Sequence, residues 1–368
     1  MNLFPSHKRQ KPDYIILFSL FSLVLLGLVM LASASSHLGK VTYDDTYYYL
    51  KHQVIYGLSL GLIGYFIASH VHYKKYRKVA VPLLLVSIVL LVLIFTPLGV
   101  SAKGSARWIR FGSITFQPSE LLKLTFIIYL AAWMSKRAFR QKNFWKGFVP
   151  FVTVLGIVAL LLLKQPSTST VAILVLTSLI MYFVSGARLR YIALTLVGGA
   201  LILGMVIYVT PYRLARVQNF FEQGVDIQAG GYHLEQARIA IGSGGLTGVG
   251  YGESTTKIRY LPEPVGDSIF AVIAEELGFI GAGLIVGMFL LLTLRTLLLA
   301  RNTPDRFGQL LLVGFGSLIA IQAFVNIGAI SGVLPLTGTP LPFMSYGGTA
   351  LAVFMTIGGI IVNISKYS

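Results

Sequence analysis

The sequence predicts an all-α polytopic membrane protein with about ten transmembrane helices. Hydrophobic residues make up 55% of the 368 residues and charged residues only 12%, and the mean hydropathy is +0.76. These values lie far outside the range of a soluble globular domain. The apolar runs recur at lengths near the roughly 20 residues that a helix needs to cross a bilayer, and they lack the alternation of a membrane β-barrel.

The predicted spans leave one long connection, residues 210–267, between spans seven and eight. We expect an ordered, partly helical outer loop there, because it holds aromatic residues and a weakly amphipathic stretch from Tyr232 to Ile241. No internal repeat divides the chain, so residues 1–368 are predicted to form a single membrane domain. The ten predicted spans cover residues 14–34, 53–70, 79–97, 118–134, 149–163, 171–185, 191–210, 268–296, 308–330 and 343–363.

The distribution of basic residues predicts the orientation. In this arrangement the inner segments hold 18 of the 30 lysines and arginines, and the positive-inside rule then places both termini in the cytoplasm, as an even number of spans requires. Sorting by loop also argues against nucleic acid as the partner of the net charge of +17. The first apolar run, Tyr14 to Ala32, is longer than the ~7–15 residues of a signal-peptide core, so we expect an uncleaved helix.

The composition and motifs of the chain exclude several kinds of binding site. The chain has no cysteine, which excludes disulfides and thiolate metal sites, and its six histidines are scattered. The glycine-rich stretch GSGGLTGVGYG lacks the Lys-Ser/Thr pair of a P-loop and the strand that precedes a dinucleotide-binding loop. We therefore predict no nucleotide site and no organic cofactor.

The stretch KIRYLPEPVGDSIFAVIAEELG, from Lys257 to Gly278, carries acidic residues to the edge of an apolar span. Asp267 has two readings there. It suits the N-cap of the eighth span, where its carboxylate would accept backbone N–H groups. It also suits a general base at the outer membrane surface, where burial raises a carboxyl pKa and neighbouring cations lower it.

Two further acids, Glu275 and Glu276, lie deeper in the same stretch. On a continuous helix Glu275 would lie about 80° round from Asp267 and roughly 12 Å deeper, whereas Glu276 would face almost the opposite way. An ionisable group within a span is costly unless it faces protein or water. We therefore expect Glu275 to line a polar cavity, where it would contact substrate, and Glu276 to serve packing.

The stretch FQPSELLKL places Glu120 and Lys123 in the fourth span. Pro118 suits the first turn of a helix, and an acid near a helix N-terminus complements the helix dipole. Residues three apart are neighbours on one helix face, so the two charges are predicted to pair. A structural pair and a direct contact with a ligand both remain open.

Eight basic residues fall on the predicted outer side. Their side chains suit either a solvated face that contacts lipid headgroups or a pyrophosphate group, which arginine binds through paired hydrogen bonds and lysine as a point charge. They are Lys103, Arg107, Arg110, Arg213, Arg216, Arg238, Lys257 and Arg259.

Taken in order on ten spans, FQPSELLKL, KIRYLPEPVGDSIFAVIAEELGFIG and LPLTGTPLPFMSYGGT resemble the SEDS family of bacterial cell-wall proteins (shape, elongation, division and sporulation). The compact spacing of GLTGVGYGESTTKIRYLPEP is more similar to the division protein FtsW than to the elongation protein RodA. Two motifs depart from the family pattern. Asp267 stands in Gly-Asp-Ser where the family often has Thr-Asp-Phe, and Ser167 replaces an acid that often follows Gln-Pro.

The resemblance implies a peptidoglycan glycosyltransferase in the bacterial cytoplasmic membrane. Its substrates would be lipid II and an undecaprenyl-pyrophosphate-linked glycan, and its partners a class B penicillin-binding protein and other divisome membrane proteins. Asp267 would be the catalytic base. Glu120 and Lys123 match the family's paired charges, and with Arg107, Arg110, Lys257, Arg259 and Glu275 they are the predicted substrate-binding residues. A divalent cation, Mg²⁺ or Mn²⁺, would stabilise the negative charge of the departing pyrophosphate.

Three alternatives remain open at this point. A lipid II flippase would also use intramembrane charges, although the ionisable residues cluster at one end of the spans. An elongation polymerase of the RodA type would share the chemistry, and a non-catalytic scaffold would use Asp267 only as a helix cap.

Overall fold

The computed structural model describes residues 11–102, 105–111, 114–136, 140–165, 167–221 and 231–368. Within these residues it is a helical bundle with one small sheet. In chain order the helices are α1 (Tyr14–Tyr43), α2 (Tyr48–His70), α3 (Tyr73–Leu93), α4 (Pro118–Ser135), α5 (Phe144–Lys164), α6 (Thr168–Val184), α7 (Leu189–Val209), α8 (Pro211–Phe221), α9 (Tyr232–Ser243), α10 (Thr256–Arg259), α11 (Ile269–Asn302), α12 (Arg306–Ile330) and α13 (Gly348–Ser365).

The predicted membrane bundle is confirmed. Eight helices in the described part of the chain are long and apolar enough to cross a membrane. Helix α6 is equally apolar but has 17 residues, and α4 has 18 residues but carries Glu120 and Lys123. With these two, the ten helices match the ten predicted spans in order. Helices α8, α9 and α10 lie in the long connection between spans seven and eight, as expected for a partly helical loop.

Both termini lie at the same end of the bundle. The backbone N–H of Asp13 donates to Ser365 Oγ (3.1 Å), and Arg295 Nε donates to Asp13 Oδ2 (2.7 Å). These contacts join the start of α1 to the ends of α11 and α13. The opposite end, which the charge pattern assigns to the outside, is called the outer end below; Asp267 and the 210–267 loop belong to it.

The helices differ greatly in how much protein surrounds them. In α12 and α13, 72% of the residues in an apolar 18-residue stretch are buried, whereas none of the residues in the corresponding stretch of α7 is buried. Side chains of α1, α4 and the first part of α11 complete the core around α12 and α13. A helix that is apolar all round and mostly exposed within the bundle, as α7 is beyond Tyr191, requires lipid as its neighbour. The centre of the bundle therefore holds the polar residues described below, and α7 lies at its edge.

A three-stranded antiparallel sheet lies between α3 and α4, which the all-α prediction did not include. Its strands are β1 (Gly99–Ala102), β2 (Ser105–Phe111) and β3 (Ile114–Phe116), in the order β1-β2-β3. Ile109, in the middle of β2, pairs with residues of both neighbours. The sheet fixes the backbone of Arg107 and Arg110 at the outer end.

Helix α11 is interrupted at Gly278, where φ is 67° and ψ is −168°. The span predicted over 268–296 is therefore present, but its backbone is broken at one residue, which the sequence did not predict. The glycine-rich loop supplies the missing hydrogen bonds: Val249 N–H donates to Glu275 O (3.0 Å) and Phe279 N–H to Gly245 O (2.9 Å). Non-helical backbone inside a membrane protein is tolerated only where such partners exist. The stretch GSGGLTGVGYG thus has a structural role, because it supplies backbone hydrogen-bond partners at the break in α11.

We expect Gly278→Ala to lower the melting temperature in detergent. The φ and ψ of Gly278 fall in a region open essentially to glycine, which costs other residues about 1–3 kcal/mol. A Cβ there would also overlap the backbone of Gly248 and Leu246. Gly283→Ala is the matched control, since no atom lies within 4 Å of its added Cβ. Equal melting temperatures for the two variants would contradict the assigned role of the break.

Candidate functional site

Asp267 lies in the turn of residues 262–268, between α10 and α11 at the outer end. The N-cap of α11 is Ser268, and no side chain donates or accepts a capping hydrogen bond there. The capping interpretation of Asp267 is therefore wrong, because the helix begins one residue later than that interpretation needs. The Asp267 side chain is half-buried. Its Oδ2 would lie 3.5 Å from a Cβ built on Gly338, which is van der Waals contact, so the backbone at Gly338 packs next to the carboxylate.

The segment 339–346, between α12 and α13, supports this turn from behind. Ser345 Oγ donates to Gly266 O (2.6 Å), and Tyr346 N–H donates to Val265 O (2.8 Å). Glu263 in the turn and Phe343 in the segment are two of the three non-glycine residues with positive φ in the described part of the chain. Backbone strain of this kind persists where the surrounding contacts over-determine it, and it clusters at functional sites.

Helix α12 holds both segments through Asn326. Its Nδ2 donates to Asp267 O (2.8 Å) and to Thr339 O (2.7 Å), and the residue is 1% exposed. One turn earlier on the same helix, Gln322 Nε2 donates to Pro340 O (2.9 Å). Two buried amides four residues apart therefore fix the backbone on either side of the Asp267 carboxylate.

The predicted pairing of Glu120 and Lys123 is present. Lys123 Nζ lies 2.8 Å from Glu120 Oε2, with the two side chains 2% and 3% exposed. The ammonium also donates to Gln322 Oε1 (2.7 Å) and lies 5.3 Å from the centre of the Phe354 ring. The pair is thus enclosed by protein and linked through Gln322 to the segment 339–346, which favours the structural alternative over direct contact with a ligand.

The sequence placed Lys257 on the exposed outer face, but the structure shows its side chain buried. Its Nζ donates to Glu276 Oε1 (2.5 Å) and to Ser33 Oγ (2.8 Å), and the Lys257 and Glu276 side chains are 3% and 0% exposed. Ser33 Oγ donates in turn to Glu276 (2.6 Å). This buried pair ties the outer loop to α1 and α11, and it occupies the ammonium that was predicted to bind substrate.

Glu275 is enclosed by protein, in hydrogen bonds that occupy its carboxylate, and its contact with substrate stays a prediction. Its carboxylate is 2% exposed and accepts hydrogen bonds from Ser254 Oγ (2.6 Å), from the backbone N–H groups of Thr255 (3.1 Å) and Thr256 (3.4 Å), and from Thr256 Oγ1. These donors belong to the start of α10 and the residues before it. Helix geometry from Asp267 to Glu275 could not predict these donors, because they come from a loop that folds back over the helix.

The outer arginines divide by exposure. Arg110 on β2 and Arg259 at the end of α10 are exposed, whereas Arg107 is half-buried and donates from Nε to Gln165 O (3.3 Å). Arg213 and Arg238 donate to the backbone oxygens of Leu163 and Gly332. Lys103 and the side chain of Arg216 lie outside the part of the chain that the structure describes. Arg107, Arg110 and Arg259 remain predicted contacts for a pyrophosphate.

Sequence reasoning missed His233, which contacts the residue after Asp267. His233 Nε2 lies 2.6 Å from Ser268 Oγ, and Ser268 Oγ donates to Pro262 O (2.7 Å). A serine hydroxyl has one proton, so His233 is the donor in its bond with Ser268. No sequence signal pointed to this histidine, because α9 and Ser268 are far apart in the chain.

Sequence reasoning also missed a polar contact at the outer end of α2. The buried Gln53 accepts the Gly347 N–H (3.0 Å), and the Tyr346 hydroxyl bonds to His52 Nδ1 (3.0 Å). Burial raises the pKa of Tyr346 above its usual value, with a smaller contribution from neighbouring tyrosines. The hydroxyl therefore stays protonated, and the tautomer of His52 decides which of the two groups donates. These bonds anchor the segment 339–346 on the side away from Asp267.

A resident metal site does not fit these residues. In the part of the chain that the structure describes, no three histidine or carboxylate side chains come together in a group that could hold a metal ion. The carboxylates of Glu120 and Glu276 are each paired with a lysine instead.

Comparison with known proteins decides the family. The profile described as "Cell cycle protein" (FtsW/RodA/SpoVE) matches residues 14–368. The chain belongs to this family. The FtsW/RodA/SpoVE chain is 37% identical over 363 residues to stage V sporulation protein E of Bacillus subtilis, covering 98% of this chain and 99% of that protein. It is 39% identical over 357 residues to the probable peptidoglycan glycosyltransferase FtsW of Trichlorobacter lovleyi, covering 96% and 93%.

Solved structures share the fold over nearly the whole length. A chain from a peptidoglycan synthase complex, in a study of how polymerization and crosslinking are coordinated, has a TM-score of 0.80 at 27% identity, covering 96% of this chain and 97% of that one. The rod shape determining protein RodA of Thermus thermophilus has a TM-score of 0.70 at 26% identity, covering 95% and 96%. The resemblance inferred from the three motifs is thus confirmed, and its leaning toward FtsW agrees with the relatives of that name.

Proposed function

We propose that this FtsW/RodA/SpoVE protein is a peptidoglycan glycosyltransferase that polymerises lipid II at the outer face of the cytoplasmic membrane. The observation that carries the proposal is Asp267. Its half-buried carboxylate lies at the outer end of the bundle beside Gly338, and its backbone is fixed by Asn326. Relatives named as probable peptidoglycan glycosyltransferases share 38–39% of the sequence, which supports the same chemistry here.

In the proposed reaction Asp267 accepts the proton of the 4-hydroxyl group of the acceptor lipid II sugar. That oxygen attacks the anomeric carbon of the lipid-linked glycan, the bond from this carbon to the pyrophosphate breaks, and undecaprenyl pyrophosphate leaves with the electron pair. Attack opposite an α-linked pyrophosphate inverts the configuration and gives the β-1,4 linkage. A positioned general base of this kind contributes about 10²- to 10⁴-fold to a rate.

The leaving pyrophosphate requires positive charge. The exposed guanidinium groups of Arg110 and Arg259 suit it, with Arg107 behind them, because arginine binds phosphate oxygens through paired hydrogen bonds. Lys257 is withdrawn from this role by its buried pair with Glu276. We propose that a divalent cation, if the reaction uses one, enters bound to the pyrophosphate, since the described residues hold no group of three side chains that could bind it.

A transpeptidase partner also belongs to the proposal. One structural neighbour comes from a peptidoglycan synthase complex, which supports a complex with a class B penicillin-binding protein. The FtsW-named relatives support a role in division. The basic residues at the end that holds both termini support an orientation with that end in the cytoplasm.

The deciding experiment uses the purified protein, with its transpeptidase partner, in vesicles that contain lipid II. We expect glycan strands in the presence of Mg²⁺, and we expect a chelator to lower their yield without lowering the melting temperature of the protein. If the wild-type protein makes no glycan and instead moves labelled lipid II across the vesicle membrane, the protein is a flippase and the proposal is wrong.

A further inference from the structure

We propose that Asn326 is a positioning residue for the general base, which sets the place of the Asp267 carboxylate without touching substrate. The inference rests on the proposed function, because it assigns Asn326 a role in the step that Asp267 performs. Asn326 lies on α12, 59 residues from Asp267 in the chain, and nothing in its local sequence links the two.

The two hydrogen bonds of Asn326 come from the same nitrogen atom. Both hydrogens of one amide nitrogen are used, one on Asp267 O (2.8 Å) and one on Thr339 O (2.7 Å). The orientation of the amide follows from these partners, since a flipped amide would direct its oxygen at two carbonyl oxygens. A single rigid group therefore fixes the distance between the segment that carries the base and the segment that faces it.

The two segments that Asn326 joins meet at the carboxylate of Asp267. Thr339 follows Gly338, and a Cβ built on Gly338 would be in van der Waals contact with Asp267 Oδ2, at 3.5 Å. Because Asn326 holds the backbone on both sides of that contact, loss of its amide would change the spacing of the two segments and the direction of the carboxylate together.

Asn326 is poorly suited to a purely stabilising role. The residue is 1% exposed, and its Oδ1 accepts no hydrogen bond from the described residues. A buried polar atom without a partner lowers stability, so an apolar side chain of similar shape would cost less than the loss of two hydrogen bonds alone suggests. A residue retained with this penalty is better explained by placement of its neighbours.

Gln322 extends the same arrangement toward the buried ion pair. Its Nε2 donates to Pro340 O and its Oε1 accepts from Lys123, which pairs with Glu120. The ion pair thus restrains Gln322, and Gln322 and Asn326 restrain adjacent residues of the segment 339–346. Lys123 and Glu120 would then affect the reaction through this backbone.

The test compares Asn326→Leu with wild type in the lipid II polymerisation assay with partner, at temperatures below both melting points. We expect kcat to fall by about 10²-fold, the size associated with a displacement of roughly 1 Å, while KM changes less than about threefold. Asn326→Asp keeps the size of the side chain, and as a neutral acid it can donate to only one of the two carbonyls. We expect its kcat to lie between those of wild type and Asn326→Leu.

Asn363→Leu is the matched control. Asn363 is equally buried, at 1% exposed, and bridges Ser69 O and Tyr73 N–H at the opposite end of the bundle. We expect this variant to lose thermal stability but to keep kcat within about threefold of wild type, because a stability change alone does not alter the chemistry of the folded fraction.

Three results separate the possibilities. A kcat for Asn326→Leu within threefold of wild type, with Asp267→Asn inactive, overturns this inference and leaves the proposed function intact. Equal losses of kcat in Asn326→Leu and Asn363→Leu also overturn it. Full activity of Asp267→Asn overturns the proposed role of Asp267 itself. If Asn326→Leu does not fold, Asn326→Asp decides the question, since a kcat for that variant within threefold of wild type overturns this inference.

Discussion

Asp267→Asn is expected to lower the rate of lipid II polymerisation by about 10²- to 10⁴-fold and to leave the fold intact. The amide has the size and shape of the carboxylate but cannot accept the proton of the acceptor hydroxyl. The N-cap of α11 is Ser268, so the substitution removes no cap. The measurement is the initial rate of glycan formation by the complex with its partner, together with the melting temperature in the same detergent.

Asp45→Asn is the control for this substitution. Asp45 lies at the same end of the bundle and pairs with Lys51 on the surface, where the Lys51 side chain is 61% exposed. The same chemical change is made there, outside the proposed site, and we expect the polymerisation rate to stay near that of wild type. If Asp267→Asn polymerises lipid II at a rate within about fivefold of wild type, Asp267 is not the general base.

Lys257→Met is expected to destabilise the protein by about 3–5 kcal/mol. The substitution leaves the Glu276 carboxylate, which is 0% exposed, without its counter-ion, and removal of one partner from a buried pair carries this penalty. The pair joins the outer loop to α1 and to the part of α11 that precedes the break at Gly278, so we expect this region to open first. Thermal melting in detergent and hydrogen exchange of the residues after Gly244 measure the effect.

Two further variants make this second prediction specific. In Lys257→Met/Glu276→Leu no charge remains buried, and we expect most of the lost stability to return. Lys51→Met breaks an exposed pair, and its expected cost is at most about 1 kcal/mol. A loss in Lys257→Met no larger than that in Lys51→Met would mean that the Lys257–Glu276 contact contributes little in the membrane.

The number and order of the spans followed from the sequence because each requires only an apolar run of sufficient length. The same signal could not detect the interruption of α11. Its residues are apolar on both sides of Gly278, and hydropathy carries no information about a φ of 67°. The ends of helices were also misplaced where they continue beyond the apolar run, as in α1, which extends to Tyr43.

The candidate site was predicted in part. Asp267 was identified from its position at the edge of a span and from the family motif, and the Glu120–Lys123 pair from a spacing of three residues, which sets neighbours on any helix. Glu275 and Lys257 were predicted to contact substrate, and the structure shows both buried in hydrogen bonds within the protein. The expectation that Glu276 serves packing agrees with its buried contacts with Lys257 and Ser33. Their partners come from α1 and from a loop that folds back on α11, and helix periodicity does not extend across such a connection.

The sequence by itself determined the membrane bundle, its orientation signal, the family and the residue proposed as the base, since these depend on composition, run length and local spacing. Only the tertiary structure decided which polar groups meet. Lys123 and Gln322 are 199 residues apart, Ser33 and Glu276 are 243 apart, and Asn326 and Asp267 are 59 apart. A buried polar group must find a partner, but which partner it finds depends on the packing of helices that no local pattern specifies.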